Sequence, residues 1–346
     1  MTINFMHNLN DILGPYAQDL AQVQEMISSK LHSDAEQLTK ISTYLSNLGG
    51  KKVRPLLAIS FAKALGMDLR NNSPEIWSSE VRQLITVSAG IEMIHMATLL
   101  HDDIIDKSLV RRHQPSAYAK FGLEDTLLSG DFLLVRAFGL CGKLDPKLIQ
   151  ATEDACVALT EGEILEKGLP LNQVSLEQAI VIAQKKTAAL FELASFSAAY
   201  LAGASDQNQN KAAEFGRSLG IGFQIVDDIL DVISDDKVLG KPSGQDLREA
   251  KPSVINLLWI KTGTDNSRKL LENNGNYTED WVADSLLEIK ASVVPDQARE
   301  MAKAYFVRSK ELLEQIAAEN KVEAANREQH LSALRSLIDF AMERMH

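Results

Sequence analysis

Hydrophobic residues recur along this chain with a period near 3.6 almost from end to end. In "VRQLITVSAGIEMIHMATLLHDD", Val81, Leu84, Ile85, Ser88, Ile91, Ile94, Met96 and Thr98 surround a cylinder that is apolar on nearly every side. Such a segment predicts a helix in the middle of a bundle. The segments "DTLLSGDFLLVRAFGLCG", "KTAALFELASFSAAYLAG" and "AAEFGRSLGIGFQIVDDILDVI" read the same way. They are rich in Ala, Ser and Gly, as closely packed helices are. No strand alternation persists, and no Asn-Gly turn lies between β-branched runs. The pattern predicts an all-α protein, a single-domain helical bundle over residues 1–346. Within it, 1–45 form an N-terminal helical segment. The charged, amphipathic stretch "EMAKAYFVRSKELLEQIAAEN" suggests peripheral helices over 262–346.

Polar breaks predict loops near 46–55, 66–74, 106–115, 234–253 and 272–276. The fourth is long for a compact domain and suits a lid over a site.

Composition narrows the class. With 346 residues, 45% hydrophobic and 24% charged, the chain is ordinary for a soluble globular protein. A net charge of -11 speaks against nucleic acid as a partner, though not against anionic substrates held by local cations or metals. Two cysteines, Cys141 and Cys156, are too few for a disulfide framework. The start "MTINFMHNLN" lacks the pattern of a secretory leader, and no run of roughly eighteen apolar residues is uninterrupted. A cytoplasmic location is expected, with peripheral membrane contact left open.

The first apolar helix finishes in "LLHDDIID". Residues four apart on a helix share a face, so Asp102 and Asp106 are neighbours with Asp103 beside them. "DDILD" repeats this with Asp227, Asp228 and Asp231. Carboxylates so close repel, and a helix C-terminus adds partial negative charge of its own. Divalent cations relieve both. A carboxylate set with room left for phosphate and water suits Mg²⁺. A solvated acidic helix end would explain one such cluster; two, each ending an apolar helix, favour a metal–diphosphate clamp.

Cations cluster near these carboxylates. "GGKKVRP" places Lys51, Lys52 and Arg54 on a Gly-led turn entering a helix, a setting that favours anions. Arg111 and Arg112 follow the first cluster; Lys185 and Lys186 precede Thr187; Lys241 and Lys251 flank the far side of the second. Each alone reads as a surface cation.

The ordered set "GGKKVRP", "HMATLLHDDIIDKSLVRRHQP", "LLSGDFLL", "EGEILE", "KKTAALF" and "GIGFQIVDDILDVISDDKVLGKPSGQDLREAKPS" resembles the trans-isoprenyl (polyprenyl) diphosphate synthases over residues 45–260. The resemblance implies the isoprenoid synthase fold, a helical bundle around a central cavity, usually as a homodimer. It implies condensation of an allylic prenyl diphosphate with isopentenyl diphosphate. By resemblance, Asp102 and Asp106 would ligate Mg²⁺ with Asp103 in support. Asp227 would ligate from the second cluster, completed by Asp228 and Asp231. Lys186, Lys241 and Arg111 would neutralise the leaving diphosphate. Lys51, Arg54, His95 and Arg112 would bind isopentenyl diphosphate, and Lys251 belongs with the substrate-binding set. Thr187 and Gln224 would line the carbocation region. The chain departs from the family pattern at Lys52, commonly Arg, at His113, commonly Gly, and after Lys251, where Pro252 and Ser253 follow. These departures touch details of substrate binding and no metal ligand.

Ala97 and Thr98 lie five and four positions before Asp102, where short-chain members of the family often carry an aromatic. Five residues of helix rise about 7.5 Å, so a bulky group here would stop a growing chain early. Ala97 leaves the way open past Ile94 and Ile91 toward Gly90. A long-chain product, of the kind that forms a quinone side chain, is the expectation. A farnesyl- or geranylgeranyl-type synthase is the alternative within the fold. A class I terpene cyclase fits less well, since "GGKKVRP" serves a second substrate. A non-catalytic partner subunit fits poorly with six retained aspartates.

Overall fold

The computed structural model describes residues 9–69, 77–234, 242–272, 277–320 and 327–345. In chain order its helices are α1 (Ala17–Ser28), α2 (Glu36–Asn47), α3 (Val53–Ala64), α4 (Ser79–Ile105), α5 (Ala117–Phe121), α6 (Leu123–Cys141), α7 (Pro146–Gly168) and α8 (Leu176–Ala183). A five-residue π-turn, Gln184–Ala188, leads into α9 (Ala189–Leu201). Then come α10 (Asp206–Ile233), α11 (Gln245–Arg248), α12 (Val254–Ile260), α13 (Asp265–Glu272), α14 (Glu279–Ala291), α15 (Val294–Glu319) and α16 (Arg327–Glu343). The all-helical expectation holds.

Short polar side chains start these helices by taking up orphan backbone N–H groups. Ser78 accepts from the Val81 amide, Ser205 from Asn208 and Ser253 from Asn256. Ser175 and Gln178 form a reciprocal capping box at α8.

α4 lies at the centre. It is long and apolar enough to cross a membrane, yet 78% of its apolar window is buried inside the bundle. Small residues bring its neighbours in. A Cβ on Gly90 would lie 2.2 Å from Cys141 Sγ, and one on Gly130 would lie 2.2 Å from His101 Nε2. These two contacts fix α4 and α6 as antiparallel, with positions 90, 94, 97 and 101 facing 141, 137, 134 and 130. Gly222 of α10 packs against the ring of Phe306, and Gly216 against the Phe191 carbonyl.

Residues 262–346 are less peripheral than their charge suggests. α15 runs along α10 as the most extensive helix pair in the fold. Its inner face, with Ala298, Ala302, Phe306 and Leu313, is buried. The amphipathic pattern was real, but its apolar stripe completes the central core rather than a satellite layer.

The 106–115 segment holds a small hairpin, Val110–Arg111 paired with Gln114–Pro115. Its two-residue turn places Arg112 at φ 52° and His113 at φ 63°. Both values are left-handed, as tight hairpin turns of this length require. Arg and His gave no warning of such a turn in the sequence.

Candidate diphosphate and metal site

The ends of α4 and α10 carry the two aspartate clusters. Asp106 sits between two ammonium groups, Lys167 Nζ at 2.9 Å from Oδ1 and Lys251 Nζ at 2.9 Å from Oδ2. Burial pushes its carboxyl upward, but the lysines outweigh burial and hold it down to about 2. Asp102, one turn away, differs. Burial pushes its carboxyl up to about 6 although Lys186 opposes this. Asp103 is fully buried and accepts from Arg111 through Nε at 2.8 Å and Nη2 at 2.7 Å. That pair ties the hairpin to α4.

In the second cluster, Asp227 Oδ1 accepts from Arg344 Nη2 at 2.8 Å. The Arg344 guanidinium also lies 4.7 Å over the Phe223 ring. Asp228 accepts from Gln224 Nε2 at 2.8 Å and from the Val254 amide at 2.9 Å, so it caps α12. Burial pushes its carboxyl up to about 7. Asp231 accepts from the Asp246 amide at 3.0 Å, and its carbonyl from the Gly244 amide at 2.8 Å. Asp228 and Asp231 thereby anchor residues 242–254 against α10. Within the long loop predicted over 234–253, the described part holds the short α11.

Lys186 and Thr187 stand on the π-turn. A turn of this kind widens the helix by one residue and is frequent at functional sites. Here it is clamped from both sides. A Cβ on Gly162 would lie 2.8 Å from the Lys186 amide, and one on Gly220 would lie 2.5 Å from Ala188 Cα. Lys186 Nζ bonds Glu163 and Glu166, each at 2.6 Å. Burial would lower its pKa; Glu166, Asp102 and Glu163 overcome that and keep it charged. The Thr187 hydroxyl donates to Gln224 Oε1, which continues a polar chain from Thr187 through Gln224 to Asp228.

A basic cradle lies at the start of α3. Arg54 stacks on Phe191 at 4.9 Å and Lys51 on Phe340 at 5.1 Å. Burial, with Arg344 nearby, pulls Lys51 down to about 8. The Arg112 guanidinium crosses Gly50, where a Cβ would lie 3.2 Å from its nitrogens. His95 is driven well below its usual range by burial and by Arg54, Arg112 and Arg111, so it is neutral. Half-buried Glu92 feels Arg54, Lys52 and Arg112 and balances the cradle. Lys52 adopts φ 44° and reaches Gln24 Oε1 of α1 at 2.6 Å.

Among the described residues, no three carboxylate, imidazole or thiol groups converge on one point. The donors still fit a hard divalent cation. They are all carboxylate oxygens, and the desolvated Asp102, raised to about 6, lacks full charge compensation. Lys241 lies outside the described residues. Ala97 is fully buried in the α4–α6 seam, while Thr98 is half-buried and donates to the His95 carbonyl at 2.8 Å.

Five side chains join the site without having been assigned a role from the sequence: Glu92, Glu163, Glu166, Lys167 and Arg344. "EGEILE" stood out as a pattern, yet the roles of Glu163 and Glu166 depend on the π-turn opposite. Arg344 has no local signal at all.

Two acidic helix ends, lysines between them and a separate basic cradle inside an all-α bundle define a protein built to handle diphosphate esters. The chain belongs to the polyprenyl synthetase family, whose model matches residues 35–289. It is thus a prenyltransferase of the trans-polyprenyl diphosphate synthase type. It is 33% identical to the octaprenyl diphosphate synthase of Escherichia coli over 81% of this chain and 85% of that one. It is 30% identical to a short chain isoprenyl diphosphate synthase of Methanothermobacter thermautotrophicus over 99% and 100% of the two chains. A polyprenyl synthase from Caulobacter crescentus, solved with calcium and isoprenyl diphosphate, superposes with a TM-score of 0.86 at 29% identity, covering 98% of each chain.

Proposed function

We propose that this protein condenses an allylic prenyl diphosphate with isopentenyl diphosphate, using Mg²⁺, to build a long-chain polyprenyl diphosphate for a quinone side chain in the cytoplasm. The observation that carries the reading is the juxtaposition of Asp102 and Asp106, Lys186 and Lys251 with the basic cradle of Lys51, Arg54 and Arg112. One diphosphate ester would lie at the aspartates and the other in the cradle.

Bound Mg²⁺ would supply Lewis-acid polarisation of the departing diphosphate. Asp102, Asp106 and Asp227 are the residues that would hold it. Lys186 and Lys251, each kept charged by neighbouring carboxylates, are ready to take negative charge as the C–O bond breaks. Neutral His95 offers a hydrogen bond to the second diphosphate without adding charge beside Arg54. Thr187 and Gln224 present hydroxyl and amide dipoles, not a nucleophile, to the allylic cation. The buried apolar α4 excludes water that would otherwise capture it.

Support for a long product comes from the octaprenyl synthase among the relatives, while Ala97, sealed in the α4–α6 seam, is a packing residue. Chromatography of the product made by the purified protein from farnesyl and isopentenyl diphosphates with Mg²⁺ tests both claims. A product of C20 or shorter refutes the long chain, and no condensation refutes the reaction.

The protein also acts as a homodimer in this reading. Leu128, Val135 and Phe138 make one exposed apolar stripe on α6, and Val157 and Ile164 another on α7. Such a surface suits a second copy. Val135→Asp with Phe138→Asp should convert a dimer to a monomer in analytical ultracentrifugation; an unchanged sedimentation coefficient would exclude this face.

A further inference from the structure

Both outer metal-face carboxylates are already occupied by side-chain cations. Asp106 has an ammonium on each oxygen, and Asp227 shares Oδ1 with a guanidinium. Lys251 is expected to turn to the substrate. Lys167 and Arg344 are different. Lys167 lies in the last turn of α7 and Arg344 directly follows α16. A helix C-terminus is a favourable place for a cation, so each keeps a supporting field if its aspartate is taken away. Arg344 also keeps its seat on Phe223. The pairs are half-open rather than sealed, with Lys167 and Asp227 side chains 39% and 43% exposed.

We propose that Lys167 and Arg344 are resident counter-ions of the two aspartate clusters, displaced when metal arrives, and that this exchange makes metal binding depend on diphosphate. The inference rests on the metal–diphosphate reading of the site. A divalent cation arriving alone must break these pairs and leaves two cations without an anion. A cation arriving with diphosphate brings the replacement anion. The two ligands are therefore coupled, and by linkage the coupling is reciprocal.

Calorimetric titration of Mn²⁺ into the protein, with and without inorganic pyrophosphate, tests the exchange. Lys167→Met and Arg344→Met should each tighten Mn²⁺ binding without pyrophosphate by about fivefold, the worth of a half-exposed ion pair. The enhancement that pyrophosphate gives should shrink by the same factor. Lys211→Met, which removes an equal charge at the remote Glu319 pair, should change neither. Circular dichroism confirms folding, and the Gln variants replace Met where folding suffers. Unchanged or weaker metal-only binding in both variants overturns the exchange while leaving the site's function intact. If wild-type protein binds no Mn²⁺ even with pyrophosphate, the metal–diphosphate reading itself fails, and the exchange with it.

Discussion

Gly162→Ala is a one-methyl test of how the π-turn sets the chemistry. The new Cβ would lie 2.8 Å from the Lys186 amide and 2.9 Å from Lys185 Cβ. The first of these is backbone, which cannot swing aside, so α7 and the π-turn must separate by several tenths of an ångström. Overpacking of this kind costs about 1–3 kcal/mol. Alanine in a helix returns about 1 kcal/mol relative to glycine. The net loss in stability is therefore about 0–2 kcal/mol, small enough for the protein to stay folded. The effect on catalysis should be larger, because Lys186 and Thr187 ride on the displaced turn. A shift approaching 1 Å in a positioned group costs up to about 10²-fold in rate. Urea denaturation followed by circular dichroism would measure the first quantity and steady-state kinetics the second. A folded Gly162→Ala enzyme with wild-type kcat would refute the idea that this close approach positions Lys186.

Three further outcomes are expected. Thr98→Phe should shorten the product, because Thr98 is half-buried one turn before Asp102, about 6 Å along the helix axis; an unchanged chromatographic profile would show that the chain grows elsewhere than along α4. His113→Gly should stabilise the protein by about 0.5–1 kcal/mol, since glycine adopts φ 63° without the penalty an L-residue bears there, and an unfolding midpoint lower than wild type would contradict this. Metal binding with diphosphate should release protons near pH 6. Asp102 is raised to about 6 by burial and must ionise to ligate, so the bound form has the lower pKa. Calorimetry in buffers of different ionisation enthalpy would read this, and proton uptake at pH 6 would overturn it.

The helices and aspartate clusters were legible because their signals are local. An apolar cylinder ending in acidic residues four apart needs no tertiary information to be recognised. The cradle residues Lys51 and Arg54 were visible for the same reason, lying three apart on a Gly-led turn. Other parts were hidden by physics that acts across the chain. Glu163 and Glu166 matter because Gly162 lets α7 touch the π-turn, and that turn has no sequence period of its own. Asp103 and Asp228 look like their neighbours in sequence, but the fold gives one to Arg111 and the other to the cap of α12. The hairpin at 110–115 was invisible because Arg112 and His113 are poor formers of left-handed turns, held there by the Asp103–Arg111 pair. The inward role of α15 was masked by its charged outer face.

The placement of Arg344 and Phe340 ties two parts of the site to one helix. Asp227, the partner of Arg344, lies 117 residues earlier in the chain, and Lys51, whose partner is Phe340, lies further back still. Contacts of such separation carry a larger loop-closure cost than local ones, so they hold only while α16 stays docked. Leu334, Leu337, Ile338 and Phe340 of α16 are buried in the central core, so the same helix also seals the bundle. Without α16, Asp227 would lack its arginine, whereas Asp228 and Asp231 would keep their partners Gln224, Val254 and Asp246. Loosening of α16 would in this way open the basic cradle and the second aspartate cluster together.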